Sequence, residues 1–240
     1  MPDPAARRSP IHDALKERGA ESRLVGGVPF AVRLRDEPTE REAMQSLAIC
    51  DLSGLQKLGV KGRDAESWLS SEGVEVPVDI LESCPFSDGG VTVRFGADEF
   101  FLEDGVANKS VASLDERLHS RRGQVFRVEH QEATFLLVGT HSIEVLAQTC
   151  GMNFREAPPR QLVFTRVAGV NCAVLPDFVG DIPTHRFWVE PSYALYLWEV
   201  LVEICESLNG SVVGADMFFR NWSRSRSPHV APRQEKSGSE

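Results

Sequence analysis

The sequence predicts an α+β fold of two intertwined αβ lobes with internal pseudo-symmetry, and three observations lead there. The first is an internal echo. Val60-Lys-Gly62-Arg-Asp-Ala65-Glu-Ser-Trp-Leu69 and Leu137-Val-Gly139-Thr-His-Ser142-Ile-Glu-Val-Leu146 share the pattern Gly-x-x-small-x-x-x-Leu. Each copy follows a strand-like apolar run, so each reads as strand, tight glycine turn, helix, with repeat units near 58–69 and 136–146. The small residue lets the helix approach the sheet, and the leucine is buried one turn later. The second observation is period-two alternation bounded by turn residues. The third is a pair of amphipathic helices with start and stop signals.

In chain order, Ser9-Pro-Ile-His-Asp-Ala-Leu opens with a cap residue and proline, places Ile11, Ala14 and Leu15 on one stripe, and stops at Gly19. Val91-Thr-Val-Arg-Phe95 alternates, turns at Gly96-Ala-Asp98 and returns through Glu99-Phe-Phe-Leu102, a β-hairpin. A second hairpin is expected over Gln124 to Val138, turning near Glu129-His-Gln-Glu132, with further strands at Val163 to Val174 and His185 to Val189. A helix is expected from Ser192 to Leu208, with Ala194, Leu197, Trp198, Leu201, Cys205 and Leu208 inward and Gly210 as its stop. The folded body is read as 9–219. The flanks, 1–8 and the Ser/Arg/Pro-rich 220–240, are read as disordered tails.

Composition bounds the function. A length of 240 residues, 42% of them hydrophobic, sustains a core and excludes wholesale disorder. With 26 Lys and Arg against 35 Asp and Glu, the net charge of -9 repels a polyanion and argues against nucleic-acid binding. No apolar run approaches the ~20 residues a membrane span needs. No apolar stretch follows Arg7-Arg8 as in a signal peptide, so a cytoplasmic protein is expected. The cysteines at 50, 84, 150, 172 and 205 are scattered singly, as reduced core side chains rather than a disulfide framework. The six histidines are equally dispersed, without metal-ligand spacing.

No phosphate-cradling loop, dinucleotide fingerprint or nucleophile elbow occurs in the sequence. Gly26-Gly27 and Gly89-Gly90 read as turns that need positive φ. Asp98-Glu99 and Glu103-Asp104 flank a strand, where a turn and strand ends predict a solvated rim rather than acid/base work. Asp51-Leu-Ser53-Gly54 stands at the entrance to the first strand–glycine–helix unit, where turn formation and function both remain open. No residue is assigned a catalytic, cofactor-binding or metal-binding role.

Several motifs carry a resemblance. Cys50-Asp-Leu-Ser-Gly-Leu-Gln-Lys-Leu-Gly-Val-Lys-Gly62-Arg-Asp-Ala65 resembles the opening motif of the folate-binding aminomethyltransferase family, whose type member is the T protein of the glycine cleavage system. Ser9-Pro-Ile-His-Asp-Ala-Leu is similar to that family's first helix, and Val138-Gly139-Thr-His-Ser-Ile-Glu-Val-Leu146 to its second strand–glycine–helix unit. Phe187-Trp-Val-Glu-Pro-Ser-Tyr-Ala-Leu-Tyr-Leu-Trp198 resembles one branch in particular, the gamma subunit of heterotetrameric sarcosine oxidase. The resemblance covers about residues 9–219 and implies an aminomethyltransferase-like fold without the T protein's C-terminal barrel.

The departures shape the functional expectation. Full-length members follow their Gly-Gly with two carboxylates, one attending folate and the one-carbon unit. Here Val91-Thr-Val93-Arg94 follows Gly89-Gly90. The family's pterin-holding Tyr-Thr-Gly-Glu should fall between Thr165 and Val174, which here lacks a carboxylate. The resemblance therefore implies a non-catalytic structural subunit of a heteromeric, sarcosine oxidase-like complex. That complex demethylates an N-methylated amine with one-carbon transfer to tetrahydrofolate. The partners expected are larger flavin- and folate-binding subunits that carry tetrahydrofolate, FAD, FMN and NAD, with no cofactor bound by this chain. The alternative is a small folate-dependent aminomethyltransferase or demethylase that draws its carboxylate from Asp51 or Asp98. A folate-linked iron–sulfur assembly factor is a weaker third, since its Lys-Gly-Cys-Tyr-x-Gly motif is absent.

Overall fold

The two glycine turns of the echo anchor two sheets. A computed structural model describes residues 8–86, 89–120 and 123–224. The first part of the chain forms α1 (His12–Glu17), β1 (Glu21–Val25), β2 (Val28–Arg33), α2 (Glu37–Ser46), β3 (Ala48–Asp51), β4 (Lys57–Lys61) and α3 (Ala65–Ser71). Next come β5 (Ser83–Phe86), β6 (Gly90–Gly96), β7 (Glu99–Glu103), α4 (Ser110–His119), β8 (Phe126–Val128), β9 (Ala133–Val138) and α5 (Ser142–Thr149). The last part holds β10 (Val163–Val167), β11 (Val170–Val179), β12 (Ile182–Val189), α6 (Ala194–Ser207), β13 (Ser211–Val213) and α7 (Ala215–Arg224). A five-stranded sheet has the order β5-β6-β7-β4-β8 and a six-stranded one β10-β11-β12-β9-β3-β13, beside the small β1-β2 hairpin.

Strand alternation sorts the core. Leu58 and Val60 of β4, with Phe100 and Leu102 of β7, pack under α3 and α4. Phe135 and Leu137 of β9, with Phe187 and Val189 of β12, pack under α6 and α5. The opposite faces meet each other: Val91, Val93 and Phe101 from the five-stranded sheet touch Ala173, Leu175 and Trp188 from the six-stranded one. The rest of that second face, including Cys50, Leu136 and Val138, is covered by β2 and by Phe218 of α7. Both echo glycines sit at positive φ, Gly62 at 128° and Gly139 at 116°. A Cβ there would lie 2.1 Å from the Gln124 carbonyl oxygen or 2.3 Å from that of Ser46, so only glycine fits either position. Ala65 and Ser142 are fully buried at the matching helix starts.

Helix α1, the β6–β7 hairpin and α6 lie where expected. Other boundaries differ. Gln124 to Val138 is not a hairpin, because β8 pairs with β4 in one sheet while β9 pairs with β12 and β3 in the other. The four residues read as a tight turn instead cross between sheets. Val163 to Val174 breaks at Ala168-Gly169, both at positive φ, into β10 and β11. Asn209, at φ 61°, supplies the left-handed residue after α6. Gly210 is demanded by packing instead, since a Cβ there would meet Cys205 Sγ at 2.5 Å. Helix α7 continues through Arg224, past the expected boundary at 219, because Met217, Phe218 and Phe219 are buried. Of the expected tails, 1–7 and 225–240 lie outside the described residues. Among the described residues no helix is long and apolar enough to cross a membrane.

Candidate functional site

The seam between the sheets holds a buried polar cluster centred on Glu103. Lys57 and Glu103 are register partners on β4 and β7, and Thr134 and Trp188 are register partners on β9 and β12. All four point into the seam, because the alternate residues of those strands face the outer helices. Glu103 accepts from Arg186 Nη1 at 3.0 Å on one oxygen, and from Trp188 Nε1 at 2.8 Å and Thr134 Oγ1 on the other. Lys57 Nζ stands 3.2 Å from that second oxygen and donates to the Leu55 carbonyl at 3.0 Å. Arg186 also donates to the Gly89 carbonyl at 3.1 Å. A carboxylate without solvent contact is tolerable only when donors saturate it in this way. The expectation of a solvated rim at Glu103-Asp104 is therefore corrected: Glu103 is fully buried, and Asp104, 1% exposed, accepts from the backbone N–H groups of Gly105 and Val111.

Beside this cluster lies a cleft of about 600 Å³, walled by Phe95, Phe101, Phe164 and Trp188, with Glu132 and Glu190 among its lining residues. Phe95 stacks on Phe101 with centroids 5.3 Å apart, and Trp188 meets Phe101 edge-on at 5.2 Å. The bond from Trp188 to Glu103 fixes the indole that forms one wall. His130 packs edge-on to Phe101 at 4.9 Å and bonds Glu132 through Nδ1 at 2.8 Å. Gly59 makes this possible, since a Cβ there would lie 2.6 Å from the His130 ring. Burial pushes the Glu132 carboxyl upward, but the His130 hydrogen bond and charge outweigh it and hold the group below its ordinary range. Sequence reasoning saw 129–132 as a turn and missed Glu132. The available signal was the small Gly59 in an otherwise apolar strand.

The remaining candidates lie outside the cleft. Asp51 is buried, and its Oδ1 accepts from the Ser53 N–H at 3.0 Å and from the Ser53 hydroxyl, an Asx turn. Burial raises its pKa against the opposing Ser53 and Ser9 hydrogen bonds. Asp98 sits in the β6–β7 turn, and Glu99 pairs with Lys61 at 2.9 Å on the surface. Gly26-Gly27, at φ 58° and 83°, forms the β1–β2 turn. Val91 and Val93, which follow Gly89-Gly90, are packed in the seam, while Arg94 pairs outward with Glu66 at 2.9 Å. All five cysteines are free thiols, and burial pushes Cys172 and Cys205 up to about 12. Among the described residues no three His, Cys, Asp or Glu side chains converge as metal ligands.

No family model and no curated protein matches the sequence. Solved structures match the fold. The glycine cleavage system aminomethyltransferase T from Bartonella henselae aligns with a TM-score of 0.70 and 15% identity over 88% of this chain and 60% of that one. Two packed sheets with paired strand–glycine–helix units thus define an aminomethyltransferase-like fold. This chain spans about three fifths of the length of that relative. The particular counterpart matched almost end to end is a chain of heterotetrameric sarcosine oxidase from Corynebacterium sp. U-96, solved with pyrrole 2-carboxylate. It aligns at TM-score 0.56 and 16% identity over 94% of this chain and 99% of that one.

Proposed function

We propose that this chain is a non-catalytic structural subunit, gamma-like, of a heteromeric sarcosine oxidase-like complex. The complex demethylates an N-methylated amine with transfer of the one-carbon unit to tetrahydrofolate. Tetrahydrofolate, FAD, FMN and NAD then belong to the larger partner subunits. One observation carries the reading: across Val91-Thr-Val93-Arg94, where the resemblance expects carboxylates, Val91 and Val93 are packed against Ala173, Leu175 and Trp188, and Arg94 pairs with Glu66. A pterin ring presents several N–H donors and needs acceptors opposite them. Neither packed valines nor an arginine supplies an acceptor, so the residues at those positions do not fit the cofactor. The near end-to-end match to a chain from a heterotetramer supports a multi-subunit setting. Co-expression with the large subunits of such a complex is expected to yield one species by mass, with flavin absorbance. Tetrahydrofolate-dependent demethylation by the chain alone would overturn the reading.

The cleft beside Glu132 favours a second reading, a small folate-dependent aminomethyltransferase or demethylase. Asp51 and Asp98, the carboxylates expected for it, do not line the cleft, whereas Glu132 does. Calorimetry of the isolated chain with tetrahydrofolate separates the two. Heat that disappears in Glu132→Gln establishes the second reading, and no heat removes it.

A further inference from the structure

We propose that the outer face of α6 docks a basic amphipathic helix of another polypeptide. The inference stands on this helix alone and not on the subunit reading. Inward, Leu197, Trp198, Leu201 and Cys205 anchor α6 in the core. Outward, its first turn and the short 3-10 turn Pro191–Tyr193 before it present Tyr193, Leu195 and Tyr196, which are 55%, 45% and 52% exposed. Large apolar side chains grouped on the surface mark protein interfaces, and tyrosine is enriched among the residues that carry binding energy there. Tyr196 is already held, because its hydroxyl donates to the Ala168 carbonyl at 3.2 Å, so docking costs it little freedom.

Charge names the partner. From Tyr196 the exposed stripe continues along Glu199, Glu203 and Glu206, neighbours at helical spacing. Like charges four residues apart repel, and carboxylates toward the negative end of a helix oppose its dipole. No basic residue in the last turn of α6 offsets them. Glu206 pairs with Arg18 at 2.7 Å, but among the described residues Glu199 and Glu203 form no ion pair. The row costs helix stability, and lysines or arginines laid along it remove that cost. A second copy brings the same carboxylates, anionic lipid and nucleic acid are repelled, and a convex helix face encloses no small molecule. A partner helix satisfies both halves of the stripe, with apolar side chains over Leu195 and the tyrosines and cations over Glu199 and Glu203.

The test titrates the full chain, labelled with 3-fluorotyrosine, with a leucine–lysine amphipathic peptide as long as α6. Tyr193 and Tyr196 are the only tyrosines of the sequence, so both fluorine resonances report on this face. Both are expected to shift, and the peptide to bind about tenfold tighter than its leucine–glutamate counterpart. Glu199→Lys/Glu203→Lys is expected to weaken binding about tenfold without lowering the unfolding midpoint. Glu42→Lys/Glu116→Lys changes the net charge equally on exposed positions of α2 and α4, and is expected to leave the affinity within about twofold. Leu195→Ser is expected to weaken it about fivefold. No binding, or binding that shifts neither resonance, overturns the proposal. So does equal weakening by the two charge reversals, or unchanged affinity in both Glu199→Lys/Glu203→Lys and Leu195→Ser. Co-purification with large subunits decides the subunit reading and depends on none of these outcomes, so the two proposals fail separately.

Discussion

The two lobes are built on one local plan and filled differently. The glycine N–H of each unit donates to a backbone carbonyl, Gly62 to that of Asp98 at 2.8 Å and Gly139 to that of Pro183 at 3.0 Å. In each unit the helix start is tied back to the glycine carbonyl, Ala65 at 2.9 Å and Ser142 at 3.0 Å. Position by position, Lys57 corresponds to Thr134, and both reach the same oxygen of Glu103. Gly59 corresponds to Leu136. The leucine fills its own core, while the glycine leaves room for His130 and so for one side of the cleft. Phe100 faces Val60 in one lobe where His185 faces Leu137 in the other. The outer faces preserve the symmetry because each lobe buries the same helix against the same sheet. The seam abandons it, because one surface must meet the other.

Breaking the seam is expected to have the largest effect. Glu103→Leu leaves Lys57 and Arg186 facing a buried site without their carboxylate, and should cost about 4 kcal/mol in urea unfolding. It should also free the Trp188 indole, visible as a change in its fluorescence. Next come the echo glycines. Gly62→Ala and Gly139→Ala each place a Cβ on a backbone carbonyl and force an unfavourable φ, at about 3 kcal/mol apiece. The two costs should agree within about 1 kcal/mol if the units are equivalent, and unequal melting points would refute the symmetry.

The smallest effect tests the Phe100–His185 pair. His185 is buried with Nδ1 unpartnered, and burial alone lowers its pKa to about 4. Below its ordinary pKa of 6.5 the unfolded chain takes up a proton that the folded chain refuses. Stability is therefore complete above pH 6.5 and declines as pH falls towards about 4, by at most about 1.4 kcal/mol per pH unit. His185→Phe, which copies the first lobe, should flatten that slope in thermal melts across the same range.

Much of the fold was legible because its signals are local. Glycine turns with a small residue three positions on, the alternation of Val91 to Leu102, and the stripe from Ala194 to Cys205 each follow from strand or helix geometry. Sheet membership was not legible. Phe126 to Val128 and Ala133 to Val138 are as close in sequence as hairpin arms, yet they belong to different sheets. Their partners, β4 on one side and β12 with β3 on the other, compete successfully with the neighbour in sequence. The candidate site was less legible still. Glu103 and Glu132 look like any acidic residue at a strand end or turn; full burial distinguishes the first, and the bond to His130 the half-buried second.

By itself the sequence determined the two strand–glycine–helix units, since a positive φ beside a carbonyl leaves no residue but glycine and a strand reveals its buried face by period. It also determined the absence of carboxylates after Gly89-Gly90, on which the subunit reading rests. Only the tertiary structure decided that the lobes meet face to face, that Glu103 collects donors from both, and that Glu132 stands among aromatic rings. Those outcomes depend on contacts between residues far apart in the chain. They rest on desolvation, which one side chain cannot signal until the opposing sheet excludes its water.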